Sequence, residues 1–102
     1  MPRLSDTEAM ILQMLVANPR PTYGLELIEE SDGKLKRGTA YVTLHRMEEK
    51  GFVQSEAEKM CPEEEGRPRR RLYKITGLGQ KALLARELMS KAFAAHAKGA
   101  LP

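Results

Sequence analysis

Past Gly51 the apolar pattern changes period, and that switch restricts the folds open to this chain more than any other feature. Upstream, hydrophobic residues recur every three to four positions, as on helices. Downstream, Phe52, Val53, Ser55 and Ala57 interleave with Gln54, Glu56 and Glu58, and Arg71, Tyr73 and Ile75 alternate with Arg70, Leu72 and Lys74. Two short strands are predicted there. The segment between them, Cys61 to Pro68, is polar, carries Pro and Gly, and is too long for a tight turn, so it reads as an exposed loop. With 102 residues in all, helices and hairpin share one small core.

The upstream helices are well punctuated. Ser5 followed by Glu8 is a capping box, with Asp6 adding charge to the first turn, and Ile11, Leu12, Leu15 and Val16 follow at helical spacing. Met10 and Met14 widen that face beyond what a small core needs, which points to a partner chain. Asn18-Pro19-Arg20-Pro21 stops the helix, because proline lacks the amide hydrogen and disfavours helical geometry in the residue before it. Thr22 is expected to cap a second helix from Tyr23 to about Glu30 that buries Leu25 and Ile28 before Ser31-Asp32-Gly33.

A third helix is predicted within Lys36 to Lys50. At 100° per residue Ala40, Leu44 and Met47 share the buried side, with Tyr41 at its edge. The other side gathers Thr39, Val42, Thr43, Arg46 and Lys50, with Glu49 the one acid among them. Thr39 is expected to be the N-cap and Gly51 the stop, and Lys36 and Arg37 sit at the positive end of the dipole, where phosphate is welcome. After the hairpin, Thr76 caps a last helix from Gly77 to about Lys98. Leu78, Ala82, Ala85, Met89, Ala92, Phe93 and His96 lie along one stripe of it and Leu84 and Leu88 beside them, a band too wide for a helix lying on one small domain.

The predicted fold class is therefore mainly α with a two-stranded β-hairpin: a winged helix-turn-helix over residues 1–76, followed by a C-terminal dimerisation helix over 77–102, the two forming one compact unit. In that order of elements the third helix enters the major groove and the hairpin lies along the neighbouring backbone or minor groove. The returning arm of the hairpin brings Arg67, Arg69, Arg70 and Arg71, suited to phosphates or a narrow minor groove, with Glu63, Glu64 and Glu65 close by. Arg46 is a candidate for a guanine edge or a phosphate, and Val42 for a thymine methyl. Tyr41 is open to two roles, core ring or phosphate contact.

Leu4 to Glu8 with its apolar helix, Thr22 to Leu27, Arg37 to Tyr41 with Leu44 to Gly51, and Gly66 to Thr76 together resemble the PadR family of bacterial transcriptional regulators, in its small branch with a single C-terminal helix. The resemblance implies a homodimeric winged-helix repressor that binds a pseudo-palindromic operator on double-stranded DNA, its C-terminal helix pairing across the two-fold axis and packing on the partner's first helix. Its DNA contacts would fall on Thr39, Tyr41, Thr43 and Arg46 and on the arginine-rich wing, and Val42 departs from the proline that many relatives carry. Release by a small apolar or aromatic effector near the dimer interface is also implied. Met10, Met14, Leu84, Leu88, Met89 and Phe93 are the candidate interface residues, and of these the methionines Met10, Met14 and Met89 are either ordinary dimer core or the lining of an adaptable pocket.

Other classes fit poorly. His45 and His96 lie on different helices, Cys61 stands in a loop without a base, and neither a phosphate-binding glycine loop nor a nucleophile elbow occurs, so neither an enzyme, nor a metal site, nor a resident cofactor is expected. One cysteine and no membrane-length apolar run place the chain in the cytoplasm. A net charge of only +3 keeps one alternative open, a winged-helix protein-interaction module without DNA binding.

Overall fold

The computed structural model describes residues 4–18, 20–59 and 70–99, with side chains described as far as residue 91. The first helix, α1 (Asp6–Ala17), starts on the expected capping box: the Ser5 amide donates to Glu8 Oε1 at 2.9 Å and the Glu8 amide to Ser5 Oγ at 3.1 Å. Ala9, Ile11, Leu12 and Leu15 are buried, whereas Val16, on the edge of the expected apolar face, is exposed. Asn18 closes the helix by donating from Nδ2 to the Met14 carbonyl at 2.9 Å.

Thr22 does not cap a helix. It opens a two-residue strand, β1 (Thr22–Tyr23), and its buried hydroxyl donates to the Arg20 carbonyl at 3.2 Å. Pro21 favours extended backbone beside it, and two residues are too few to show an alternation. Helix α2 (Gly24–Glu30) therefore begins one residue later than expected, on Tyr23. Leu27, rather than Leu25, is the fully buried residue of α2; Leu25 is exposed and Ile28 half-buried. The link to the next helix is built around buried Ser31, whose hydroxyl donates to the Ile28 carbonyl at 2.7 Å and accepts from the Leu35 amide at 3.0 Å. Asp32 and Gly33 both take positive φ there, at 53° and 85°.

Helix α3 (Arg37–Glu49) buries Ala40, Leu44 and Met47, as their spacing predicts. Its N-cap is Lys36, not Thr39, which lies in the first turn; the Lys36 carbonyl accepts from the Ala40 amide at 2.8 Å, so the helix is wound before Thr39 is reached. Gly51, at φ 84°, ends it as expected. The hairpin strands are β2 (Val53–Ala57) and β3 (Arg71–Ile75), antiparallel with Val53 opposite Ile75, Ser55 opposite Tyr73 and Ala57 opposite Arg71. β3 also pairs with β1, Thr22 opposite Tyr73, so the sheet has three strands in the order β1–β3–β2.

The last helix, α4 (Gly77–Gly99), is capped by Thr76, whose Oγ1 accepts from the Gly79 amide at 3.0 Å and donates to the Gly51 carbonyl at 2.5 Å. Its base sits directly on the start of the hairpin. A Cβ at Gly79 would fall far inside contact distance of the Phe52 carbonyl oxygen, so only glycine allows this approach. Ala82 and Leu83 enter the core, where Phe52, Val53 and Tyr73 join residues of the first three helices.

Candidate nucleic-acid interface

The buried stripe of α3 dictates what its other face can present. With Ala40, Leu44 and Met47 turned inward, Gly38, Thr39, Val42, His45, Arg46 and Glu49 stand exposed on the far side. Val42 is 53 % exposed at the middle of that face, and Thr43 is half-buried at its flank. The Arg37 and Arg46 guanidiniums and the Lys36 ammonium are exposed and, among the described residues, make no hydrogen bond or ion pair. Three cations thus stand uncommitted, two at the start and one in the last turn of one helix. His45 Nε2 and Glu49 Oε1 meet at 2.7 Å one turn apart on the same exposed side.

Tyr41 is packed on one edge and open on the other. Its ring edge fills the place a side chain at residue 24 would occupy, 2.8 Å from a Cβ built on Gly24, so it packs the start of α2 against α3. The residue is nonetheless 40 % exposed, which leaves a phenol at the rim of the α3 face.

The far end of α3 is fixed from two sides. Glu48 Oε2 accepts from the Ser55 amide at 3.1 Å and the Ser55 hydroxyl at 2.5 Å, tying the helix to β2. Lys50 Nζ donates to Glu8 Oε2 at 3.0 Å, tying it to the start of α1. Burial pushes the Glu8 carboxyl up, but the Ser5 amide, Lys50 and the Ser5 hydroxyl outweigh it and hold Glu8 below its ordinary value. Burial, then the Glu48 carboxylate, raise the Tyr73 phenol above its ordinary value, with Arg71 opposing, so Tyr73 stays protonated in the core.

Of the four wing arginines, Arg67 and Arg69 lie outside the described residues. Arg70, just before β3, and Arg71, its first residue, are exposed, and their guanidiniums go to different partners. The Arg70 guanidinium lies over the Tyr23 ring at 5.1 Å, and its amide donates to Glu58 Oε2 at 3.1 Å. Arg71 donates through Nε and Nη2 to Ser55 Oγ at 3.1 and 2.9 Å, joining the same network that holds Glu48. Glu58, just past the end of β2, is buried, and Tyr23 Oη donates to its Oε1 at 3.4 Å.

On α4, Leu84, Leu88 and Met89 are 55 %, 56 % and 69 % exposed, at helical spacing on one side. Met10 and Met14 are half-buried on α1 against the core; the Phe93 side chain and His96 fall outside the described side chains, as Cys61 falls outside the described residues. Two open clefts of about 480 and 330 Å³ flank Arg20 and Pro21, and neither is lined by methionine. Among the described residues no His, Cys, Asp and Glu side chains gather as a metal site, and no helix is long and apolar enough to cross a membrane.

The sequence profile of the transcriptional regulator PadR-like family matches residues 11–85. Among solved structures, a PadR-like transcription factor from Bacteroides fragilis is 23 % identical, with 92 % of this chain and 88 % of that one covered at a TM-score of 0.75. A PadR family transcription regulator from Clostridium difficile is also 23 % identical, covering 93 % and 97 % at a TM-score of 0.74. A Thermoplasma acidophilum protein with a proposed role as a transcriptional regulator is 32 % identical, covering 86 % and 90 % at a TM-score of 0.61. No curated protein matches the chain in sequence. The family match spans most of the chain, from α1 through the wing to the first turns of α4, and the chain therefore belongs to the PadR-like family of transcriptional regulators, winged-helix DNA-binding proteins and not enzymes.

Proposed function

We propose that the protein is a homodimeric repressor that reads a pseudo-palindromic operator with α3 and grips the flanking backbone with its wing. The observation that carries this reading is the outer face of α3, where Lys36, Arg37 and Arg46 stand exposed without intramolecular partners among the described residues, around exposed Thr39 and Val42. Cations left without acid partners at a helix start and along its outer face suit a polyanion. Thr39, Thr43 and the Tyr41 hydroxyl add short-range donors, Val42 adds a methyl surface for thymine, and Arg46 sits where a guanine edge or a phosphate is met. Lys36 and Arg37 serve phosphates at the helix start, while Arg67, Arg69, Arg70 and Arg71 serve the wing.

Residues 1–76 then act as the DNA-binding part and 77–102 as the dimerisation helix of one unit. The exposed Leu84, Leu88 and Met89 support a second copy as the occupant of that face, with Met10, Met14 and Phe93 completing it. A small apolar or aromatic effector held near this interface would release the DNA, and the cytoplasm is where such a regulator works.

Fluorescence anisotropy on the duplex upstream of the protein's own gene, against scrambled duplex and across a salt series, tests the proposal. Selective binding that weakens steeply with salt is expected. Equal, weak binding to both duplexes would overturn operator recognition and return the protein-interaction alternative.

A further inference from the structure

The base of α4 is fixed by Thr76, Gly79 and the buried Ala82 and Leu83, all within its first two turns. A helix held only there is free to pivot about that base. Arg86 supplies a further attachment one turn on, about 4.5 Å beyond Leu83, counting three residues at 1.5 Å each. Its Nη1 donates to the Leu4 carbonyl at 2.7 Å and its Nη2 to Asp6 Oδ1 at 2.5 Å, at the entry of α1. Leu4 is itself part of the core.

The charge pair with Asp6 contributes little to stability, because the Asp6 side chain is almost fully exposed. The geometry carries more. A planar guanidinium bonding two acceptors at once, one of them a backbone carbonyl fixed in the core, defines a direction that a single ammonium cannot. Beyond Arg86 the described side chains of α4 are exposed, so this is the last point at which the described helix is tied to the body.

We propose that Arg86 is a positioning residue: by clamping α4 to Leu4 and Asp6 it sets the angle at which the helix leaves the winged-helix body, and so the separation of the two α3 helices in the dimer. This rests on the dimeric reading given above. A dimer on a palindrome is a bivalent ligand whose second contact depends on geometry, and a helix free to pivot lowers the effective concentration of the second half. Arg86 then fixes which half-site spacing is read.

The test uses the full chain and five operators: the native one and versions with the centre lengthened or shortened by one and two base pairs, with oligomeric state followed by sedimentation. For the wild type, a dimer and a clear preference for native spacing are expected. A monomer, or no operator preference, would overturn the dimeric reading and this inference with it, before any variant is made. Arg86→Lys and Arg86→Ala should remain dimers yet lose about tenfold on the native operator, while losing less than twofold on the altered ones. Asp6→Ala, which removes one of the two acceptors, keeps the Leu4 carbonyl bond and alters no residue of α4, should show the same flattening at smaller amplitude. Equal loss on all spacings, or no change on any, overturns the assignment, and Asp6→Ala decides the matter if the Arg86 variants fail to fold.

Discussion

Lys50 and Glu8, at the end of α3 and the start of α1, meet at 3.0 Å across the domain, and Glu8 is almost fully buried while Lys50 is partly exposed. The pair joins the first capping box to the C-terminal cap of α3. Because Glu8 is held below its ordinary value, its contribution to stability is fully present above the unfolded glutamate pKa of about 4.3 and is lost as pH falls through the lower folded value. Glu8→Gln should unfold at lower urea concentration at pH 7, by about 1–3 kcal/mol, and should show a flatter stability profile below pH 5. Equal acid profiles in the two proteins would remove Glu8 from that account.

Gly79 and Gly24 admit close neighbours to different degrees. At Gly79 the obstacle is the Phe52 backbone, which cannot yield, so Gly79→Ala should cost about 1–3 kcal/mol by thermal melting. At Gly24 the obstacle is the partly exposed Tyr41 ring, which can turn aside. Gly24→Ala should melt close to the wild type while weakening DNA binding, because α2 and α3 meet at that contact.

Ser31 both donates and accepts in the helix-turn-helix link. Ser31→Ala leaves the Leu35 amide unpaired in a buried setting and should destabilise the protein by about 1–3 kcal/mol. Hydrogen exchange at Leu35 should accelerate with it; unchanged protection there would mean that water replaces the hydroxyl.

The two arginine settings should separate in binding. Arg46→Ala is expected to lower operator affinity by about 1–3 kcal/mol and scrambled-duplex affinity by much less. Arg70→Ala should weaken both alike and reduce the salt slope by about one, measured by anisotropy.

Leu88→Glu should give a monomer that keeps the wild-type circular dichroism, since the residue is exposed in the single chain. Sedimentation at micromolar concentration reads the outcome, and a dimer unchanged by this substitution would move the interface elsewhere.

Legibility in the sequence followed the strength of local signals. The capping box of α1, the buried stripe of α3, the Gly51 stop and the Thr76 cap rest on spacings of three or four residues, and each is where the pattern put it. β1 was not legible, because a two-residue strand exists only through its partner β3, and this also displaced Thr22 from the cap. Thr39 was displaced for a related reason: a threonine near a helix start reads as a cap unless the preceding residues are known to be wound already. Glu58 is an acid just past the end of β2, and nothing local marks it as buried; it meets Tyr23, thirty-five positions upstream, and the Arg70 amide on the returning arm. The candidate α3 residues were legible because a helix with one buried side has its other side fixed by arithmetic. The Arg86 clamp was not, since its two acceptors lie some eighty positions upstream.

The pairing of Thr22 with Tyr73 also has a bearing on synthesis. A contact spanning about fifty positions cannot form until the second arm of the wing has left the ribosome, and long-range strand pairing is slow compared with helix formation. The first three helices, α3 with its candidate contacts among them, are made first, yet the strand that braces the start of α2 arrives later. The nascent chain therefore passes through a stage in which its helices can exist without the brace that sets their mutual angle, and specific DNA recognition has to wait for the translation of β3.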